Sequence, residues 1–301
     1  MTGQPRAEER IPNTGTYWTD FLQAEVRILA GRFRTRALLM GEGPPLLLIH
    51  GTGGHLENYA RNISAYARRY RVAAIDLLWH GRSQCDGFDP ELFPAFLAQI
   101  GEVLDVLGCA RAHLEGQSLG GWIAALFAAR HPERVDKLVL TTPMGYIPEG
   151  ARMIDYGSVS RTQLLESTLA VLRDPTYENV RVRMERILAD PRTLTHESVA
   201  VRHALYNHAP LNAVQRRVTE AYFSDAVLPF ALTGELLQTI GAPTLVYWGE
   251  RNLTPPAIGL EMSRKLRHGC FHNAPGTGHW AQFENAVEHN RVVLDFLAAN
   301  H

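Results

Sequence analysis

Apolar positions along this chain follow two alternating rhythms. Pro45 to Ile49, Arg71 to Leu78, Ala110 to Leu114, Asp136 to Leu140, Thr244 to Trp248 and Gly269 to Asn273 are short, mostly apolar runs. Such runs suit strands buried on both faces. Leu56 to Tyr70, Glu91 to Leu107, Trp122 to Ala129 and Asn285 to Ala299 carry helical spacing instead. Ala24 to Leu29 and Thr35 to Met40 alternate around Gly31 and predict an antiparallel hairpin. Strand–helix alternation builds a mostly parallel sheet flanked by helices, an α/β fold. Its ligand site lies outside the carboxyl ends of the strands. From about Gly145 to Gln238 the spacing is helical throughout, punctuated by Pro175, Pro191 and Pro210. This predicts a helical cap (145–238) inserted into a core made of 1–144 and 239–301. Residues 1–20 read as a loose arm.

One strand-to-helix junction carries chemistry. Glu115-Gly116-Gln117-Ser118-Leu119-Gly120-Gly121 reads G-x-S-x-G between a strand-like run and an Ala- and Leu-rich helix. Glycines allow a sharp turn with a strained residue at its apex, a nucleophile elbow. Ser118 is therefore the candidate nucleophile, with the Leu119 N–H aimed at the same point. The bland alternative is a Gly-rich turn whose serine does nothing. A serine hydroxyl needs a base, and His279 is the candidate. It stands in Pro275-Gly276-Thr277-Gly278-His279-Trp280, after the last strand and before the last helix.

The loop His50-Gly51-Thr52-Gly53-Gly54 follows the first buried run. Its N–H groups, with Thr52 or Gly53 as best candidates, would complete an oxyanion hole with Leu119. His50 is expected to shape that loop through a hydrogen bond. An acid to orient His279 should come from Tyr247-Trp248-Gly249-Glu250-Arg251-Asn252, but the expected position holds Asn252. Glu250 lies two residues earlier and would face the same way if the strand continued. No carboxylate follows the strand at Leu140, where Thr141, Thr142, Pro143 and Met144 stand. Asp76 reads as structural, capping the turn into Gly81. His196, His203 and His208 do not share a helical face, so no metal site is expected. Trp122, Met144, Met153, Tyr206, Tyr222 and Phe223 read as core or pocket wall.

Composition narrows the class. The 301 residues are 46% apolar, enough for one large domain. Thirty basic against 31 acidic residues leave a net charge of −1, which favours neither nucleic acid nor an anionic membrane as partner. No run is long enough for a membrane span. Met1 to Arg10 lacks a signal peptide's apolar centre, and Cys85, Cys109 and Cys270 are few and scattered. A cytoplasmic protein acting on a small molecule, with no cofactor, is the expectation.

These motifs resemble the α/β-hydrolases, and within them the meta-cleavage-product hydrolases, which cut a carbon–carbon bond in ring-opened aromatic compounds. The resemblance runs from Leu46 to Leu297. It is most specific at Gly278-His279-Trp280-Ala281-Gln282-Phe283-Glu284, Asn290-Arg291 and Asp295-Phe296-Leu297. The segment Leu194 to Arg202 resembles the one carrying that family's substrate-carboxylate arginine, which implies this role for Arg202. The resemblance also implies that Trp280 lines the pocket beside Gln117 and Gly51. His279 would then shuttle protons, and Ser118 would attack or activate water. A homodimer is compatible with the family.

Three departures stand out. Gln117 replaces an Asn frequent in the family, the oxyanion loop lacks the usual Pro, and Asn252 occupies the acid's place in W-G-x-x-D. An Asp-to-Asn change at that position in serine proteases lowers kcat about 10⁴-fold, through the wrong imidazole tautomer. Three explanations stay open: an introduced inactivating change, a different acid with Glu250 the nearest, or a chain that needs no acid or only binds. The expected activity is hydrolysis of a C–C bond in a 2-hydroxy-6-oxo-dienoate type compound. The alternatives are ester or lactone hydrolysis on the same scaffold, or a catalytically impaired binding form.

Overall fold

The computed structural model describes residues 16–299, apart from 152, 153, 155, 156 and 158. Most of the arm and Met153 lie outside the described residues. Eight strands form one sheet in the order β1-β2-β4-β3-β5-β6-β7-β8. They are β1 Glu25–Ala30, β2 Arg34–Met40, β3 Pro45–Ile49, β4 Arg71–Ile75, β5 Ala112–Gln117, β6 Val135–Thr141, β7 Thr244–Gly249 and β8 Gly269–Ala274. β1 and β2 form the expected antiparallel hairpin, with Glu25 opposite Leu39. β2 runs antiparallel to β4, and every later pairing is parallel.

The unbroken apolar runs are the strands covered on both faces. Leu46 to Ile49, Val72 to Ile75 and all of β7 are buried. Phe93–Val106, Leu119–Arg130, Pro256–Lys265 and Ala286–Ala298 are the principal helices against the sheet. Leu119–Arg130 is buried along nearly its whole length and has almost no polar face. Its hydrophobic run therefore marks a central core helix and not a surface one.

The helix expected over Leu56 to Tyr70 does not form. Only a 3-10 turn, Leu56–Tyr59, and a helical turn, Ile63–Tyr66, are present. The polar groups there are tied elsewhere. Leu56 N–H donates to Asp76 at 2.7 Å, the Asn62 amide to Gln282 O at 2.9 Å, and Arg61 to Phe283 O at 2.8 Å. Asp76 is structural, accepting also from Arg82 N–H at 2.8 Å and facing Arg36 at 3.2 Å.

Between β6 and β7 the regular elements are helical: Arg161–Arg173, Tyr177–Glu185, His196–Tyr206, Ala209–Tyr222 and Gly234–Thr239, with short 3-10 turns. Pro175 falls between helices, and Pro191 opens the 3-10 turn Pro191–Thr193. Pro210 does not interrupt one; it occupies the first turn of Ala209–Tyr222, where its missing N–H costs nothing. Side-chain oxygens of Ser160, Thr176, Thr195 and Thr233 cap four of these helices, which sets their sharp starts.

Candidate active site

Ser118 sits at the turn from β5 into the helix Leu119–Arg130 with φ 56° and ψ −116°. That is a strained conformation for a residue with a side chain. It is held by Ser118 N–H on Thr141 O at 3.1 Å, and by Trp122 and Met144 N–H groups on Ser118 O at 3.0 and 3.2 Å. Close approach explains the flanking glycines. A Cβ on Gly116 would lie 2.2 Å from Gly120 O, and one on Gly120 2.1 Å from Ile49 O.

A cavity of about 120 Å³ opens at this point, lined by Ser118, His279, Gly51, Thr52, Gln117 and Trp280 from the sheet side. Arg183, Arg202, Tyr222 and Phe223 line it from the inserted helices. Leu119 N–H has no hydrogen-bond partner among the described residues, as the first N–H of a helix should not. Thr52 lines the cavity, whereas Gly53 does not. Gly53 turns away at φ 63°, with its carbonyl 3.4 Å from the Tyr206 hydroxyl. This favours Thr52 over Gly53 for the second oxyanion donor. His50 shapes the loop as expected: Nε2 accepts from Leu77 N–H at 3.0 Å, leaving Nδ1–H to donate to Gly51 O at 2.7 Å.

His279 is fixed through its backbone from both sides. Its carbonyl accepts from the Thr142 hydroxyl at 2.8 Å and the Gln117 amide at 3.1 Å. Its N–H donates to Ile187 O, in the turn after the inserted helix Tyr177–Glu185, at 2.8 Å. Glu284 clamps the same loop, accepting Gly278 N–H and Asp190 N–H at 2.6 Å each. Trp280 is buried, stacked on Phe283 with centroids 4.0 Å apart, and donates to Asn58 O at 3.2 Å. Among the described residues no hydrogen bond joins the Ser118 hydroxyl to the imidazole. Both face one cavity, and such contacts tighten on substrate binding.

Asn252 occupies the acid's place in space as well as in sequence. Its Oδ1 meets His279 Nδ1 at 2.7 Å. The same Oδ1 accepts Leu253 N–H at 2.8 Å, and Nδ2 donates to the Thr254 hydroxyl at 3.2 Å. A backbone N–H only donates, so the atom facing the ring is the oxygen. His279 therefore carries its proton on Nδ1 and leaves Nε2 free as a base. Glu250 is not the alternative acid: exposed, it points away and accepts Gly276 N–H at 2.8 Å. Burial, then the Arg183 guanidinium, lowers the His279 pKa from its ordinary 6.5 to about 4.

Arg202 is buried, and donates to Asn58 Oδ1 at 3.0 Å. It has no ion-pair partner among the described residues, and its Nε has no hydrogen-bond partner. Asn58 and Arg183 were not expected at the site. Nothing in the spacing distinguishes Arg183 from its neighbour Arg181, which pairs with Glu178 and Glu185 on the same helix. His196 and His203 pack on the Tyr177 ring. Met144, Tyr222 and Phe223 form pocket wall, and Trp122 is core.

The fold and this site define a serine hydrolase arrangement. The chain belongs to the α/β-hydrolase fold family, whose model matches residues 44–286. Within it, the chain resembles the meta-cleavage product hydrolases. It is 35% identical over 264 residues to a 2-hydroxy-6-oxononadienedioate/2-hydroxy-6-oxononatrienedioate hydrolase of Burkholderia vietnamiensis, covering 84% of this chain and 86% of that one. It is 30% identical over 273 residues to a 2-hydroxy-6-oxo-6-phenylhexa-2,4-dienoate hydrolase of Burkholderia cepacia, covering 88% and 92%. A solved structure of a hydrolase with that second substrate name, from a Rhodococcus strain, superposes with a TM-score of 0.80 at 24% identity. The match covers 92% of this chain and 100% of that one. No helix among the described residues is long and apolar enough to cross a membrane.

Proposed function

We propose that this chain hydrolyses the C5–C6 bond of a 2-hydroxy-6-oxo-dienoate type compound, a ring-opened aromatic. One observation carries the choice of an acid substrate. Arg202 is a buried guanidinium without a carboxylate partner, in the same cavity as Ser118 and His279. An unpaired buried cation is costly, so the site is built to receive an anion. Three free, scattered cysteines agree with a cytoplasmic setting.

The chemistry follows from the placement. Arg202 takes the substrate carboxylate with its planar fork. A proton moves from the 2-hydroxyl to C5, giving the 2,6-diketo tautomer, and His279 Nε2 is the group placed to relay it. Nε2 then accepts the proton of Ser118, or of a water that Ser118 orients, as oxygen adds to C6. The resulting oxyanion meets the N–H groups of Leu119 and Thr52. When C5–C6 breaks, its electron pair passes along the conjugated chain to the C2 oxygen. Water supplies the hydroxyl of the new acid.

The test is consumption of 2-hydroxy-6-oxo-6-phenylhexa-2,4-dienoate, followed by its visible absorbance and by release of benzoate. Ser118→Ala should abolish release. Arg202→Ala should lower kcat/KM for the acid by roughly 10–100-fold, the value of a hydrogen bond to a charge. Hydrolysis of a neutral ester with no cleavage of the dienoate would instead make the chain an esterase or lactonase. Failure of Ser118 to react with a fluorophosphonate would make it a binder.

A further inference from the structure

Arg183 is a second guanidinium in the cavity, and no established task is assigned to it. It stands on Tyr177–Glu185, lines the pocket, and its buried Nε has no hydrogen-bond partner. No carboxylate pairs with it among the described residues, although Arg181 on the same helix has two. Arg183 and Arg202 line the same cavity, and both charges act on the buried Tyr206 phenol. Burial alone would raise that phenol, yet the Arg202 and Arg183 charges bring it below its ordinary value. The Arg202 guanidinium carbon lies 5.8 Å from the Tyr206 ring centroid.

We infer that Arg183 and Arg202 together form a two-guanidinium seat for a 2-oxygenated carboxylate, with Arg202 on the carboxylate and Arg183 on the adjacent C2 oxygen. This rests on the acid-substrate reading above. A lone carboxylate would satisfy one cation and leave the other unpaired in a confined site. A 2-oxo or 2-enolate acid presents oxygen-bearing groups on neighbouring carbons, one for each of two guanidiniums that line one cavity. The assignment of each arginine follows from position. Arg202 is the more buried and is anchored on Asn58. Arg183 acts on His279, and C2 lies between the carboxylate and the bond that breaks. Arg183 would thus meet the negative charge that arrives on the C2 oxygen as C5–C6 parts, lowering the barrier as well as selecting the substrate.

The experiment compares inhibition by 2-oxopentanoate and pentanoate, which differ only at C2, in the full chain and in Arg183→Met, Arg183→Lys and Arg202→Met. The unsubstituted protein should bind the 2-oxo acid about tenfold or more tightly than the plain acid, the worth of one charge-assisted hydrogen bond. Arg183→Met should bring that ratio near one, Arg183→Lys should recover part of it, and Arg202→Met should weaken both acids. A ratio that survives Arg183→Met overturns the assignment. So does an equal loss of both acids in Arg183→Met, which would place Arg183 on the carboxylate. If neither acid binds the unsubstituted protein, the acid-substrate reading fails and this inference with it.

Discussion

Asn252→Asp isolates what a charge adds to an imidazole that is already oriented. In this structure Leu253 N–H fixes the amide oxygen toward His279, so the ring already holds its proton on Nδ1. Asp would keep both acceptor contacts, and the Thr254 hydroxyl that now receives Asn252 Nδ2 can donate to the second carboxylate oxygen. Only the charge changes. A carboxylate at this range raises a histidine pKa by roughly 1–3 units. At 1.36 kcal/mol per unit this stabilises the imidazolium by about 1.4–4 kcal/mol. The kcat gain expected is therefore roughly 10–10³-fold, below the ~10⁴ seen where an amide also imposes the wrong tautomer. The acid limb of kcat/KM should move from about pH 4 to roughly 5–7. The assay is a pH–rate profile of both proteins on the dienoate and on a p-nitrophenyl ester. A gain of 10⁴ or more would show that Asn252 presents its NH₂ to the ring. No gain with an unmoved acid limb would show that it does not contact the ring.

Further outcomes are expected. With Asn252 in place, His279 stays neutral down to about pH 4, so kcat/KM should be flat from pH 5 to 7; a limb near 6.5 would contradict its burial. Glu115 lies buried beneath the elbow, and burial raises its pKa from 4.5 to about 8. The unfolded chain loses this proton near 4.5 and the folded one near 8, so the Glu115 contribution to stability falls as pH rises through that window. At pH 7 the cost is on the order of 3 kcal/mol, and Glu115→Gln should flatten the fall in urea midpoints between about pH 6.5 and 8, above the range in which the buried histidines and Asp76 also titrate on unfolding. An identical slope in the variant would clear Glu115. Asp76→Ala should destabilise by roughly 2–5 kcal/mol, since it leaves the Leu56 and Arg82 N–H groups without their acceptor while Arg36 keeps Glu57; a thermal midpoint near that of the parent would show the network to be dispensable.

Much of the fold was legible because parallel strands buried on both faces leave continuous apolar runs, as at Leu46 to Ile49 and Thr244 to Trp248. Ser118 and His279 were legible because a tight turn demands glycines around a fixed position. The stretch from Leu56 to Tyr70 was not. Its helical spacing is real, but Asp76, Gln282 and Phe283, distant in sequence, claim its polar groups. Arg183 was hidden for the converse reason. An arginine declares itself by lacking a partner, and only the folded chain shows that Arg181 takes the nearby glutamates while Arg183 faces the cavity.

Asn252 shows the limit most sharply, because the residue type alone gave the wrong consequence. An amide is symmetric enough to present either end to a histidine, and the sequence suggested a ring held in the unproductive tautomer. The decision rests with one backbone N–H, that of Leu253, which demands an oxygen at that point. Orientation and charge, usually supplied together by one carboxylate, are thereby separated. The orienting half is retained at Asn252. The inserted segment adds to it, holding the His279 and Trp280 N–H groups on Ile187 O at 2.8 and 3.3 Å and bracing, through Asp190 N–H, the Glu284 carboxylate that accepts Gly278 N–H. The charge half is missing at the ring, where Arg183 pulls in the opposite direction and helps keep His279 neutral. If an anionic substrate head occupies the two guanidiniums as proposed, that opposing field would be offset and His279 would accept a proton more readily.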